Sequence, residues 1–217
     1  MKSYLAEFIG TFALVFFAAG SAIVDSQTSG AVSLIGCATA SGLIVTAIIY
    51  TFGNVSGSHI NPAVTIAFSV AGLFNKKEIF PYISSQLAGS FAAGMTLKLL
   101  FPESTSMGAT LPSGAVLQSF ILEIILTFLL MLVILHTSQG IKEIQQLAGI
   151  IIGGMVLLEI IFAGPISGGS MNPARSFGPA IAAGNLGTLW IYFLAPVLGA
   201  SLATFVWKIT RAEKLHI

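Results

Sequence analysis

The chain has 217 residues, 55% hydrophobic and only 8% charged, with a formal net charge of +1 and a mean hydropathy of +0.95. A water-soluble domain carries about a quarter charged residues, so this is a membrane protein and lipid is the solvent to reason with. The balanced charge offers no basic surface for nucleic acid. A single cysteine (Cys37) excludes an intrachain disulfide framework, and three scattered histidines (His59, His136, His216) show no metal-ligand spacing.

Crossing the hydrocarbon core as a helix takes roughly 20 mostly apolar residues. The first such run covers about 4–24. Lys2 and the later AAGSA imitate a cleaved leader, but Glu7 falls too early in the apolar run, so the segment reads as a retained span. A second run at 31–51 leads into the Gly/Ser-rich GNVSGSH (53–59) and then AVTIAFSVAGLF (63–74), which is apolar but about half the spanning length. Spans at 79–100, 115–136 and 145–164 follow. GPISGGS (164–170), the half-length ARSFGPAIAAG (174–184) and a last span at 188–208 complete the chain.

The order is a repeat. AEFIGTFALVFF (6–17) and LEIILTFLLMLV (122–133) each place a Glu ahead of Thr-Phe and an apolar run, and each Glu is followed about fifty residues on by Asn-Pro-Ala. Three spans per repeat is odd, so the second copy (about 115–210) enters from the opposite side to the first (about 1–100). Inverted repeats place a shared site near the midplane, built from broken helices. Non-helical backbone at that depth is tolerated only where protein buries it or it lines water. The expected fold is an all-α membrane protein with six transmembrane helices and two re-entrant half-helices, in one channel domain over 1–217.

Basic residues orient it. With the N-terminus inside, Lys2, Lys76, Lys77, Lys142, Lys208, Arg211 and Lys214 fall on the cytoplasmic side, and the loops near 25–30 and 101–114 contain no Lys or Arg. Lys98, at the outer end of span three, reads as a snorkelling side chain. Both termini are expected in the cytoplasm, and the location is the cell membrane.

Pro62 and Pro173 suit the first position of a helix, where their missing N–H costs nothing. Asn61 and Asn172 then become N-caps, each spending its side-chain oxygen on the first turn and leaving its NH₂ to donate outward. Ala63 and Ala174 are small enough for the two helix starts to abut. Each start also carries roughly half a positive charge, a barrier to cations. Carbonyls of Gly57, Ser58 and His59, and of Gly168, Gly169 and Ser170, supply acceptors leading away. Arg175 adds a full charge and up to five donors. Donors at the centre flanked by acceptors suit a polar, neutral solute.

Glu7 and Glu123 are intramembrane carboxylates, a functional signal by default. Here they are expected to brace the re-entrant backbone by accepting its N–H groups. Glu159 is open between a pore-adjacent position, an oligomer axis and a loop brace. Gly149 and Gly153 suggest close helix crossing, and Cys37 a position at the outer vestibule. No Ser or Cys nucleophile has a plausible paired histidine, so no catalytic residues, metal or cofactor are expected.

SGSHINPAVT and SGGSMNPARSFGP, headed by Glu7 and Glu123, closely resemble the aquaporins, the major intrinsic proteins. The resemblance covers the whole chain and implies a homotetramer with one pore per subunit. It also implies a four-residue constriction, which counting places at Ser41, Ile160, Gly169 and Arg175. Water-selective members usually carry an aromatic ring and a histidine where this chain has Ser41 and Ile160. Typical glycerol facilitators have two aromatics, and an acidic residue where this chain has Ser176. The small–aliphatic–glycine–arginine set, AGPISGGSMNPAR and Tyr192-Phe193 are similar to the nodulin-like branch. The implied function is passive passage of small uncharged solutes (glycerol, boric or arsenous acid) and water, excluding protons and ions. The alternatives are a water-selective channel and an ion-coupled transporter using the glutamates.

Overall fold

A computed structural model describes residues 1–211; Lys214 and His216 lie outside the described residues. The helices are α1 (Lys2–Gln27), α2 (Ser33–Ser56), α3 (Pro62–Ala71), α4 (Ile79–Leu100), α5 (Val116–Ser138), α6 (Lys142–Gln146), α7 (Ala148–Ser167), α8 (Pro173–Ala183) and α9 (Leu189–Thr210). A short 3₁₀ turn at Lys76–Glu78 precedes α4.

Five of them (α1, α2, α5, α7 and α9) are long and apolar enough to cross a membrane. The third expected span, α4, is also long at 22 residues, but its apolar residues are interrupted by Ser84, Ser85, Gln86, Ser90, Thr96 and Lys98. The reason is its neighbours: α4 packs against α1 and the half-helix α8, and spends Gln86, Ser90 and Lys98 on polar partners there.

The expected loops are shorter than their Gly/Ser composition suggests. α2 runs through Gly53 to Ser56, and α7 runs through Gly164 and Pro165 to Ser167. Tertiary bonds hold these last turns. The Ser56 carbonyl accepts from the Tyr82 hydroxyl (2.9 Å) and the Ser167 carbonyl from the Tyr192 hydroxyl (2.7 Å). Non-helical backbone is thereby confined to about 57–61 and 168–172.

Glycine sets how closely the spans approach. A β-carbon at Gly89 of α4 would collide with the Phe8 carbonyl of α1, and one at Gly199 of α9 with the Ile124 carbonyl of α5. These two crossings are the same contact in the two repeats. Gly42 and Gly153 make the α2–α7 crossing similarly tight, where the Thr46 hydroxyl also donates to the Gly149 carbonyl (3.0 Å). Small residues let backbones meet in lipid, where packing replaces the hydrophobic drive. The half-helices dock across the repeats, α3 on α9 and α8 on α4, and the main apolar cluster around Leu126, Leu130, Met131 and Val156 fills the space between.

Candidate functional site

Both half-helices begin as their local chemistry dictates. Asn61 is extended (φ −154°), its Oδ1 accepts the Ala63 N–H (2.9 Å), and Pro62 holds the first helical position. Asn172 is alike (φ −153°), capping Ala174 (2.9 Å) and Arg175 (3.3 Å). The amides also do something the sequence did not suggest. Asn61 Nδ2 donates to the Met171 carbonyl and Asn172 Nδ2 to the Ile60 carbonyl, both at 2.8 Å. Each NH₂ therefore spends one hydrogen tying its loop to the other and keeps one for the cavity beside it.

Each loop is held from behind by a buried carboxylate. Glu7 accepts from the Ser56 hydroxyl (2.7 Å), His59 N–H (2.9 Å), Ile60 N–H (2.7 Å) and Gln86 Nε2 (2.8 Å). Glu123 accepts from the Ser167 hydroxyl (2.7 Å), Ser170 N–H (2.9 Å) and Met171 N–H (2.8 Å). An ionised carboxylate accepts only, with about four lone-pair sites, so four donors fill Glu7 and three donors occupy most of Glu123. Ser58, Ile60, Gly169 and Met171 all have positive φ (47°, 43°, 56° and 50°). With Gly57 and Gly168 also left-handed, both loops follow the same non-helical course along the cavity.

Two cavities meet through the molecule. The first, about 150 Å³, is bounded by Gly57, Ser58 and His59, both asparagines, Gly169, Ser170 and an apolar wall including Val45, Ile152 and Val156. The second, about 340 Å³, is bounded by Asp25, Cys37, Ser106, Gly108, Thr110, Gly168 and others. Ala18, Ser41, Ile160 and Arg175 border both, so the junction falls between them, with Gly169 on the first cavity's side. The Ser41 hydroxyl donates to the Cys37 carbonyl (2.9 Å) and thus offers the cavity lone pairs only. Arg175 Nη1 donates to the Gly108 carbonyl (2.9 Å), and its other side-chain N–H groups have no partner among the described residues. A β-carbon on Gly169 would stand 3.3 Å from Ile160 Cγ1, so glycine keeps this wall back.

The remaining sequence candidates are separated from the cavity or absorbed into packing. His59 borders the first cavity, but its ring stacks on Phe68 (centroids 4.9 Å apart), meets Phe74 and Tyr82, and bonds Thr65 through Nδ1 (3.1 Å). Glu159 is 3% exposed, borders neither cavity, and has no hydrogen-bond partner for either oxygen among the described residues. Lys98 does not merely snorkel: its Nζ donates to the Ala182 carbonyl (2.9 Å) at the end of α8, and Lys208 does the same for Val70 (3.3 Å) at the end of α3. Sequence reading missed Ser56, Ser167, Tyr82, Gln86 and Thr110, and named Tyr192 without its bond to the Ser167 carbonyl. The serines stand at the same distance before each Asn-Pro-Ala, a signal that aligning the two repeats further would have exposed; Gln86 and Thr110 have no such counterpart.

Residues 1–207 match the profile of the family described as Major intrinsic protein. The chain is 43% identical over 206 residues to Aquaporin NIP6-1 of Arabidopsis thaliana, covering 95% of this chain and 68% of that one. It is 41% identical over 212 residues to Nodulin-26 of Glycine max, covering 97% and 78%. The X-ray structure of the aquaglyceroporin from Plasmodium falciparum aligns with a TM-score of 0.85 at 26% identity, over 96% of each chain. On the match over nearly its whole length, and on the paired half-helices the structure holds together, the chain belongs to the major intrinsic protein family.

Proposed function

We propose that the chain is a passive channel for small uncharged solutes, namely polyols such as glycerol, metalloid hydroxides such as boric or arsenous acid, and water, and that it excludes protons and ions. The observation that carries this reading is the junction of the two cavities. Ala18, Ser41 and Ile160 bring no aromatic ring to it, Gly169 leaves the adjoining wall open, and Arg175 supplies donors and a fixed positive charge. A hydroxyl solute shedding water finds lone pairs at Ser41 and donors at Arg175, then one donor from each asparagine. A cation meets Arg175 and two helix N-termini in surroundings where charge is costly. The likeness to a protein described as an aquaglyceroporin supports polyol passage.

A coupled transporter needs a titrating or ion-binding group on the path. Glu7 is committed to four structural donors and Glu123 to three, neither borders a cavity, and nor does Glu159, which favours a channel without coupling. The reading includes one channel domain, assembly as a homotetramer, residence in the cell membrane, and an N-terminus in the cytoplasm with Lys76, Lys77, Lys142, Lys208 and Arg211 on the same side.

Stopped-flow light scattering on proteoliposomes tests it. Glycerol and boric acid are expected to enter quickly, driven by their own gradients and indifferent to pH or sodium gradients. Ser41→Phe with Ile160→Phe is expected to cut glycerol entry by about tenfold or more, a barrier increase near 1.4 kcal/mol. A double variant that passes polyols unchanged would sink the assignment of the filter.

A further inference from the structure

The segment joining α4 to α5 runs along the second cavity and is fastened there residue by residue. Met107 is fully buried, and a β-carbon at Gly108 would collide with the Ala19 carbonyl of α1. Ser113 N–H donates to the Ile166 carbonyl (2.9 Å). The Gly108 carbonyl takes Arg175 Nη1, so the placement of this strap decides where the guanidinium rests.

A chain of hydroxyls holds the strap to the second re-entrant loop. Thr110 Oγ1 is 2.6 Å from Ser176 Oγ, which is 2.6 Å from Ser170 Oγ, which is 3.0 Å from the Asn172 carbonyl. Each hydroxyl owns one proton. A carbonyl cannot donate, so Ser170 gives its proton to Asn172, Ser176 to Ser170, and Thr110 to Ser176. That is the one assignment in which all three contacts are hydrogen bonds. Ser176, the middle link, is 1% exposed and borders neither cavity, whereas Thr110 and Ser170 each border one of them, so the relay is sealed from solvent at its centre. Ser176 neighbours Arg175 on α8, and Thr110 lies two residues from Gly108. The chain therefore fixes both ends of the Arg175–Gly108 bond with respect to each other.

We propose that Thr110 and Ser176 are positioning residues for solute selection: their hydroxyl relay locks the strap against α8 and so holds the Arg175 guanidinium against the Gly108 carbonyl, clear of the opening beside Ser41 and Ile160. With the relay cut, the strap shifts and the guanidinium gains freedom, so the channel discriminates less by size. This inference rests on the solute-channel reading above.

The experiment compares wild type with Thr110→Val, Ser176→Ala and Thr110→Ser in proteoliposomes, measuring water, glycerol and erythritol entry on the same vesicles and normalising to folded protein by gel filtration. Thr110→Val and Ser176→Ala are each expected to raise the erythritol-to-glycerol ratio roughly fivefold, the worth of one buried hydrogen bond, and Thr110→Ser to restore it. Unchanged ratios in both variants overturn the proposal. So does a parallel fall in all three permeabilities, or loss of folded protein in both variants, since either outcome describes a residue that only holds the fold. If wild-type vesicles pass water but no polyol, the solute reading fails on its own. The relay is then judged by whether glycerol begins to enter in Thr110→Val and Ser176→Ala: entry supports it, and none overturns it.

Discussion

In the first re-entrant loop Glu7 holds the N–H groups of His59 and Ile60, Tyr82 holds the Ser56 carbonyl, and Lys208 caps the half-helix that follows. In the second, Glu123, Tyr192 and Lys98 repeat those bonds for Ser170, Met171, Ser167 and α8. What fills the space behind differs. The first loop is backed by rings, with His59 between Phe68, Phe74 and Tyr82. The second is backed by the hydroxyls of Ser170, Ser176 and Thr110 and by the strap that holds Arg175. The shared frame sets the meeting point of the half-helices; the unshared filling packs rings behind the first loop and a hydroxyl relay with Arg175 behind the second. Duplication delivers the common geometry, and divergence of a few side chains makes the two loops chemically different.

The most damaging way to break that comparison is to remove a brace. Glu7→Leu or Glu123→Leu leaves at least three buried donors unpaired at about 1–3 kcal/mol each, and little monodisperse protein is expected from detergent extracts. Glu7→Leu also takes from Gln86 one of its two donor bonds, the other going to Thr65, so it is expected to lower the melting temperature further than Glu123→Leu. Wild-type melting of either variant would remove the carboxylates from the frame.

A smaller effect sharpens the contrast between the loops. Ser58 and Gly169 occupy matching left-handed positions, at φ 47° and 56°. Gly169→Ala sets a methyl against Ile160 and strains the backbone by about 1–2 kcal/mol, so glycerol entry is expected to fall roughly tenfold. Ser58→Ala loses one hydroxyl bond to the Ile48 carbonyl (3.1 Å) and should leave glycerol entry within about twofold. Equal effects on glycerol would show that the second loop is not the selective one.

The smallest expected difference concerns the lysine caps. A cation at a helix C-terminus is worth about 0.3–1 kcal/mol. The Lys98 bond is shorter (2.9 Å against 3.3 Å) and partly sheltered, so Lys98→Met should lower the melting temperature more than Lys208→Met. The reverse order, measured by thermal unfolding in detergent, would mean that the two half-helices are anchored by something other than these bonds.

Much of this molecule was readable as a string of residues. Composition demanded a membrane protein. The doubled Glu…Asn-Pro-Ala demanded inverted repeats, and Asn before Pro demanded an N-cap, because capping and proline geometry act within one helical turn. Ser41, Ile160, Gly169 and Arg175 came from counting within a recognised pattern. The ends of α2 and α7 were misjudged because Gly and Ser report only local preference, and Tyr82 and Tyr192 extend those helices from another part of the chain.

Only the tertiary structure decided that each asparagine spends one hydrogen on the opposite loop, that each half-helix is capped by a lysine from the other repeat's last span, and that Glu159 turns away from both cavities. It alone joined Thr110 to Ser176. These are contacts between residues far apart in the chain, and hydrogen bonds of that kind follow no period or spacing. They exist because buried donors and acceptors in lipid must find partners, and folding determines which ones are within reach.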